Sequence, residues 1–236
     1  NVPLGLIIIA IASWRLRGEW AEARGERLDV LGSLIYGLML TALMYGLYLL
    51  PASSGMWLIS IGGLGVVAFF KVEMKSESPI LNVNLFRGNI TFTFSNIAAL
   101  INYSATYALS FLLSLYLQSI TGLSPQDAGL VLVSQPIVQT AFSPAAGRLS
   151  DRIEPRIIAS VGMALTSAAI FALAVLMQWT SLELIIACLV FLGVGLALFA
   201  SPNTNAVMSS VEKQFYGVAS ATIGTMRLLG QMLSMG

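Results

Sequence analysis

Long apolar runs with almost no charge constrain this chain more than any other feature. A helix needs about 20 mostly apolar residues to cross a bilayer. Lipid offers the backbone no water, so a spanning segment is a helix or part of a closed barrel. The runs are continuous and do not alternate every second residue, which predicts helices. The predicted segments are Val2–Trp14, Val30–Leu50, Gly55–Val72, Ile90–Leu117, Ala128–Ala146, Ile157–Gln178, Leu184–Pro202 and Gly217–Gly236.

The composition points to lipid as the solvent for much of the surface. Hydrophobic residues make up 57% of the chain and charged residues 10%, whereas a soluble domain carries roughly 25% charged residues. The formal net charge is +1, which indicates no nucleic acid or other polyanionic partner. The predicted fold class is an all-α integral membrane protein with about eight transmembrane helices.

The chain lacks the residues that several classes of function require. The chain has no histidine, which removes the usual general base and the commonest metal ligand. Its single cysteine, Cys188, lies in an apolar run and is expected to be a packing residue. The pair Gly193 and Gly195 lacks the third glycine of a nucleotide loop. We therefore expect no cofactor, no metal ion and no enzyme activity. A channel filter is not recognisable either, and a non-transporting scaffold stays an alternative.

Lys and Arg residues fall on alternate loops. Eleven of the 12 lie in or beside the first, third, fifth and seventh loops, and none lies in 51–54, 118–127 or 179–183. Short cytoplasmic loops are enriched in Lys and Arg. The basic loops are therefore predicted to be cytoplasmic, in a multi-pass protein of the plasma membrane. Only Arg227, in the last segment, stands apart.

The fifth loop carries a motif. It reads Gly147-Arg-Leu-Ser-Asp-Arg-Ile-Glu-Pro-Arg156, which resembles the loop signature of the major facilitator superfamily, G-x-L-[AS]-D-R-x-G-R-[RK]. Glu154 and Pro155 depart from that pattern. Asp151 follows one helix and precedes the next, where it can pair with a neighbouring arginine or face a helix N-terminus. A basic anchor at the membrane surface is the alternative role. The resemblance implies a conformational-switch loop of Gly147, Arg148, Asp151, Arg152 and Arg156.

Other stretches resemble the fourteen-span drug:proton antiporter family within that superfamily. They are 1–5, 78–87, 116–125 with 128–129, 201–203 and 217–227. The resemblance implies a secondary transporter that exports amphipathic or cationic small molecules by alternating access, coupled to protons. Transport of another solute class is the alternative. The implied partners are the lipid bilayer, a small-molecule substrate, the proton and an N-terminal half of the same protein outside this chain.

The resemblance also implies a division of the chain into spans 6 to 13 of that family. Residues 1–14 end the last helix of an N-terminal bundle, and 15–29 form a cytoplasmic loop. Residues 30–72 hold two linker transmembrane helices, and 73–89 form a second cytoplasmic loop. Residues 90–236 supply the first five helices of a C-terminal six-helix bundle.

Polar residues of the fourth segment share one face. Transporters bind substrate near the bilayer midplane, and polar groups there would be costly against lipid. At 3.6 residues per turn, spacings of 7, 4, 3 and 4 keep five polar residues within a narrow arc. We predict that this face lines a substrate cavity, with helix–helix packing as the alternative. The arc comprises Asn96, Tyr103, Tyr107, Ser110 and Ser114, widened by Asn102 and Thr106.

Two later segments add candidates for the cavity. Gln135 and Gln139 lie one turn apart and either bind substrate or bridge neighbouring helices. Arg227 and Gln231 share a face of the last segment. Arg227 sits about 15 Å along that helix from Gly217, where it either pairs with an acid outside this chain or reaches back toward the cytoplasm.

No span is expected to carry a well-buried Asp or Glu, because the carboxylates fall at the ends of the segments. Asp127 and Glu183 fall at outer ends and Glu73 at an inner end. Because a proton-coupled pump usually needs a titratable carboxylate in the membrane, we expect the coupling acid in the N-terminal half.

Overall fold

The computed structural model describes residues 2–15, 29–76, 83–175 and 180–235. Every predicted segment is helical over most of its described residues, which confirms the all-α prediction. A short helix, α4, also occupies part of the predicted loop 73–89. A 3₁₀ turn, Lys213–Phe215, precedes the last helix. The α-helices are α1 Val2–Arg15, α2 Val30–Tyr48, α3 Ser53–Glu73, α4 Val83–Gly88, α5 Ile90–Ser119, α6 Pro125–Leu132, α7 Ser134–Ser150, α8 Pro155–Ala174, α9 Leu182–Ser209 and α10 Tyr216–Met235.

Five of these helices are long and apolar enough to cross a membrane. They are α2, α3, α5, α8 and α9, while α1 holds a shorter apolar stretch, Gly5–Arg15. Large apolar side chains point outward from them: Leu38, Trp57 and Phe171 are 70%, 72% and 73% exposed. Exposing such apolar surface to water costs about 25 cal/mol of free energy per Å², whereas exposing it to lipid has no comparable cost. The chain is therefore an integral membrane protein.

Helix starts follow the capping residues of the sequence. Asn89 precedes α5, and its Oδ1 accepts a hydrogen bond from the backbone N–H of Phe92 (2.9 Å). Ser124 precedes α6, and its Oγ accepts from the N–H of Asp127 (3.1 Å). Pro125 follows in the first turn, where its missing N–H costs no helical bond. Each cap satisfies a backbone donor that the helix leaves open.

The predicted segment Ala128–Ala146 is two helices, α6 and α7. Pro136 has no N–H to donate, so the carbonyl of Leu132, four residues earlier, loses its helical partner. Val133 keeps right-handed helical angles (φ −67°, ψ −16°), and its carbonyl accepts the N–H of Ile137 (3.2 Å). Proline therefore interrupts the hydrogen-bond ladder without creating a loop.

The helices α2 and α3 form an antiparallel hairpin with close backbone contact. A Cβ atom added at Gly55 would lie 2.7 Å from the carbonyl oxygen of Gly46, and one added at Gly62 would lie 2.6 Å from Cγ of Leu43. No side chain fits at those distances, so the two glycines let the helices approach closely. The hairpin contacts α10, where the hydroxyls of Tyr36 and Thr225 form a hydrogen bond.

Glu73 corrects the expectation that the spans bury no carboxylate. It is the last residue of α3, and its side chain is only 3% exposed. A Cβ atom at Gly32 would lie 2.9 Å from both Oε1 of Glu73 and Cγ of Asp29, so the bare glycine of α2 makes room for both carboxyl groups. Hydrogen bonds to Asp29 from Ser76 Oγ (2.6 Å) and Gly32 N–H (2.6 Å) hold the pKa of that carboxyl below its usual value. Position at a helix end therefore did not imply exposure.

Helix α9 lies at the centre of the remaining helices, packed against α5, α7 and α8. Its contact with α8 is backbone to backbone, because a Cβ atom at Gly162 would lie 2.7 Å from the carbonyl oxygen of Gly195. Cys188 belongs to the buried apolar cluster that joins α9 to α5, α6 and α8, together with Leu117 and Ile185. The cysteine packs in the core, as the sequence predicts.

Candidate functional site

Helices α5, α7, α9 and α10 line one open cavity of about 490 Å³. Its wall combines aromatic rings, side-chain amides and one guanidinium group. The structure brings together nine of the eleven predicted cavity residues, and their role in binding stays a prediction. These nine are Asn102, Tyr103, Thr106, Tyr107, Ser110, Gln135, Gln139, Arg227 and Gln231. The other lining residues are Phe111, Leu192, Leu196, Ala200 and Met235.

Gly230 sets the spacing between α5 and α10 at the cavity. A Cβ atom there would lie 2.5 Å from the carbonyl oxygen of Leu100 and 2.9 Å from Cβ of Tyr103. One turn earlier on α10, Cζ of Arg227 lies 5.5 Å from the centroid of the Tyr103 ring. This distance allows a cation–π contact. The close helix contact therefore places the arginine over the tyrosine at the cavity wall.

The two glutamines occupy the α7 side of the cavity. Nε2 of Gln135 donates to Oε1 of Gln139 (2.9 Å). The backbone at Gln135 is held against α9, because a Cβ atom at Gly193 would lie 2.6 Å from its carbonyl oxygen. One amide donor and one acceptor are used within the pair, so Gln135 keeps a carbonyl oxygen and Gln139 an NH₂ group.

Asn102 lies deep in the wall formed by α5. Its side chain is 3% exposed, and Oδ1 is buried without a hydrogen-bond partner among the described residues. A buried polar atom without a partner costs about 1–3 kcal/mol. Asn102 also lines the cavity, so a hydrogen-bond donor entering there would remove that cost.

Asn96, like Ser114, is a predicted cavity residue that does not line the cavity. Its side chain is fully buried, and Nδ2 donates to the carbonyl oxygen of Phe92 in the same helix (2.9 Å). Close by, Nδ2 of Asn203 on α9 donates to the carbonyl oxygen of Ser95 (3.1 Å). Asn96 shares the angular position of Tyr103 but lies about 10 Å nearer the N-terminus of α5. At that depth α9 packs directly against α5.

Apolar lining residues escaped the sequence prediction. Leu192, Leu196 and Ala200 stand on one face of α9, four residues apart, and Phe111 and Met235 complete the apolar part of the wall. The spacing was visible in the sequence. In a membrane helix, however, residues facing a cavity, a neighbouring helix or lipid are equally apolar, so spacing alone does not identify them.

A second cleft of about 690 Å³ adjoins the cavity toward the Arg- and Lys-rich end of the helices. The two share Tyr103, Gln139, Ala200 and Arg227. Asp151 lines the cleft, whereas the lining of the cavity itself contains no carboxylate. Within the described part of the chain, Arg227 therefore supplies the one formal charge of the cavity wall.

An apolar pocket of about 510 Å³ adjoins the cavity at the opposite end, between α2, α5 and α10. It shares Tyr107, Gln231 and Met235 with the cavity and adds Met44 and Tyr48 from α2. The polar cavity therefore continues into polar surface at one end and apolar surface at the other.

The predicted switch loop joins α7 to α8. Gly147 and Arg148 lie in the last turn of α7 and Asp151 follows it. The ion pair that forms here joins Arg156 to Glu154 (2.6 Å), with both side chains largely exposed. The loop also reaches α9, since Nδ2 of Asn205 donates to Oγ of Ser150 (3.1 Å). Among the described residues, the pairing of Asp151 with Arg148 or Arg152 is not formed in this structure. The switch role of the loop stays a prediction.

Comparison with known proteins agrees with this architecture. The sequence pattern of the Major Facilitator Superfamily matches residues 96–236 of this chain. The chain is 30% identical to the uncharacterized transporter YebQ of Escherichia coli K12 over 241 residues, 98% of this chain and 51% of YebQ. It is 28% identical to the riboflavin transporter RibZ of Clostridioides difficile over 232 residues, 97% of this chain and 50% of RibZ.

A third relative is the multidrug transporter protein MdtP of Bacillus subtilis, 26% identical over 238 residues, 98% of this chain and 43% of MdtP. The chain thus spans about half the length of the curated relatives that it matches. The family match covers more than half of the chain, including every helix that lines the cavity. The chain belongs to the Major Facilitator Superfamily.

Proposed function

We propose that this chain supplies part of a secondary active transporter that exports amphipathic small molecules by alternating access. The single observation that carries the proposal is the cavity of about 490 Å³, lined by aromatic, amide and guanidinium groups within helices whose outer faces are apolar. Polar groups at membrane depth are costly unless they serve a function or pack together. A volume in this range suits a small ligand.

The proposed coupling ion is the proton, and the proposed orientation places the basic loops in the cytoplasm. Both rest on the resemblance and on the distribution of Lys and Arg. The division into two linker helices and the start of a C-terminal bundle belongs to the same proposal. Cationic substrates would need an acidic partner from the N-terminal half, since the described cavity lining holds none.

A second solute class is favoured by one comparison. RibZ is named a riboflavin transporter, and a flavin combines fused aromatic rings with ring carbonyls and an imide N–H. Tyr103 and Tyr107 offer ring faces, and Gln135, Gln139 and Gln231 offer amide donors and acceptors. Flavin-like solutes are therefore the alternative to drug-like compounds.

The test is flux into inverted membrane vesicles that contain the full-length gene product. A pH gradient is imposed, uptake of a fluorescent amphipathic dye or of riboflavin is followed, and an uncoupler is then added. We expect saturable uptake that collapses with the uncoupler. Vesicles from cells without the gene give the background.

Saturation and counterflow separate a transporter from a channel. Uptake that is unchanged by the uncoupler would contradict the proposal that the proton is the coupling ion. Uptake of neither probe above background, by correctly folded protein, would contradict export of these two solute classes and would favour the non-transporting scaffold.

A further inference from the structure

The guanidinium of Arg227 is the charge that the described cavity offers to a ligand. No carboxylate lines the cavity among the residues described; Asp151 lines the adjoining cleft, which Arg227 also borders. Within the described residues, Arg227 makes no ion pair. A cation held at membrane depth without a counter-charge is costly, which points to an anionic partner that the cavity receives from elsewhere.

The guanidinium group of Arg227 lies beside the ring of Tyr103. Cζ of Arg227 lies 5.5 Å from the tyrosine ring centroid, and the close packing at Gly230 fixes the helices that carry the two residues. The side chain therefore lies over the aromatic wall of the cavity, at the border with the adjoining cleft. A guanidinium in this position still presents N–H groups for a planar, two-point contact with a carboxylate.

The rest of the wall suits an aromatic body next to that charge. Tyr107 and Phe111 lie on the same helix as Tyr103, and all three line the cavity. Asn102 provides a second, independent sign of a missing ligand, because its Oδ1 is buried and without a partner among the described residues while the residue lines the cavity. An N–H or O–H group on the aromatic body would satisfy that oxygen.

We infer that Arg227 anchors the carboxylate of an aromatic, anionic substrate, with the ring system against Tyr103 and Tyr107 and a donor group toward Asn102. This inference rests on the proposed function, since it takes the cavity as the substrate site. It goes further by assigning the charge of the substrate and the residue that selects for it. The preferred substrates are aromatic acids and not organic cations.

The experiment uses two probes that share one xanthene ring system and differ in charge: anionic fluorescein and a cationic rhodamine. Binding of each probe to the purified full-length protein is measured by fluorescence anisotropy, and transport of each is measured in vesicles. The variants are Arg227→Gln, Arg227→Lys and, as a control for net charge, Lys213→Gln. Lys213 is exposed in the turn before α10 and outside the cavity lining.

We expect wild-type protein to bind fluorescein more tightly than the rhodamine. Arg227→Gln should weaken fluorescein binding on the order of tenfold or more, the usual range for loss of a hydrogen bond to a charged group. Rhodamine binding should stay the same or improve. Arg227→Lys should retain part of the fluorescein affinity, because it keeps the charge but loses the planar fork. Lys213→Gln should behave as wild type.

Three results would overturn the inference. One is preferential wild-type binding of the rhodamine. Another is equal loss of both probes in Arg227→Gln with an unchanged melting temperature, which would assign Arg227 to an ion pair with the N-terminal half. The third is equal loss in Lys213→Gln. Binding without transport would instead contradict the proposed function and leave the assignment of Arg227 standing, so the two failures are distinguishable.

Discussion

Replacing Gly230 with alanine tests whether α5 and α10 depend on bare backbone contact. The new Cβ atom would lie 2.5 Å from the carbonyl oxygen of Leu100, whereas carbon and oxygen normally approach to about 3.3–3.6 Å. The helices must therefore separate by about 1 Å. Such overpacking costs about 1–3 kcal/mol, against a gain of about 1 kcal/mol when alanine replaces glycine within a helix.

Gly224 provides the matched control on the same helix. A Cβ atom there meets nothing within 4 Å, so Gly224→Ala gains helix propensity without a clash. We expect Gly230→Ala to be less stable than Gly224→Ala by about 1–3 kcal/mol, the cost of overpacking alone. Comparing the two alanine variants removes the propensity term.

The assay is denaturant-induced unfolding of the full-length protein in detergent, followed by tryptophan fluorescence. Fluorescein binding gives a second readout, because separation of the helices would also move Arg227 away from Tyr103. Equal unfolding free energies for the two variants would refute the close-packing argument. Lower stability with unchanged fluorescein binding would refute the link between this contact and the cavity.

Three further predictions follow from single features of the structure. In a cysteine-free background, cysteine at Tyr107 should react with a water-soluble thiol reagent faster than cysteine at the buried Asn96, and equal labelling rates would contradict the cavity boundary. Pro136→Ala restores a backbone donor to the α6–α7 junction and should raise the unfolding free energy by about 1–3 kcal/mol, measured by the same denaturation. Glu154→Gln removes the exposed ion pair with Arg156 and should change stability by less than about 1 kcal/mol. A larger loss would show that the pair holds the loop.

Hydropathy located the apolar segments but not where the helices begin and end. The seventh predicted segment ends at Pro202, whereas the corresponding helix, α9, continues to Ser209. The added turns are polar, yet Asn203 is buried and bonded to the backbone at Ser95. The length of an apolar run reflects the thickness of the lipid layer that the helix crosses. The length of a helix also depends on the partners of its polar turns, which a single sequence does not show.

The sequence predicted most polar residues of the candidate site and missed its apolar residues. Tyr103, Gln139 and Arg227 stand out in apolar segments, and the helical period places them on shared faces. Their meeting in one cavity depends on close contacts such as that at Gly230, which fix how the helices lie against one another. Asn96 shows the limit: helical periodicity predicts the direction of a side chain but not the depth at which a neighbouring helix closes over it.

The α2–α3 hairpin has a consequence for how the protein diversifies. Its two helices are held together by their own glycine contacts, and it touches the remaining helices at α10. Among the described lining residues of the polar cavity, none belongs to the hairpin, which contributes only to the adjoining apolar pocket. The two parts meet at that pocket, which shares Tyr107, Gln231 and Met235 with the cavity. Mutations in the hairpin away from the pocket share no contacts with mutations that alter solute recognition, so the two kinds should combine additively. A hairpin that keeps the pocket residues Met44 and Tyr48 should therefore be exchangeable between related transporters without changing which solutes they accept.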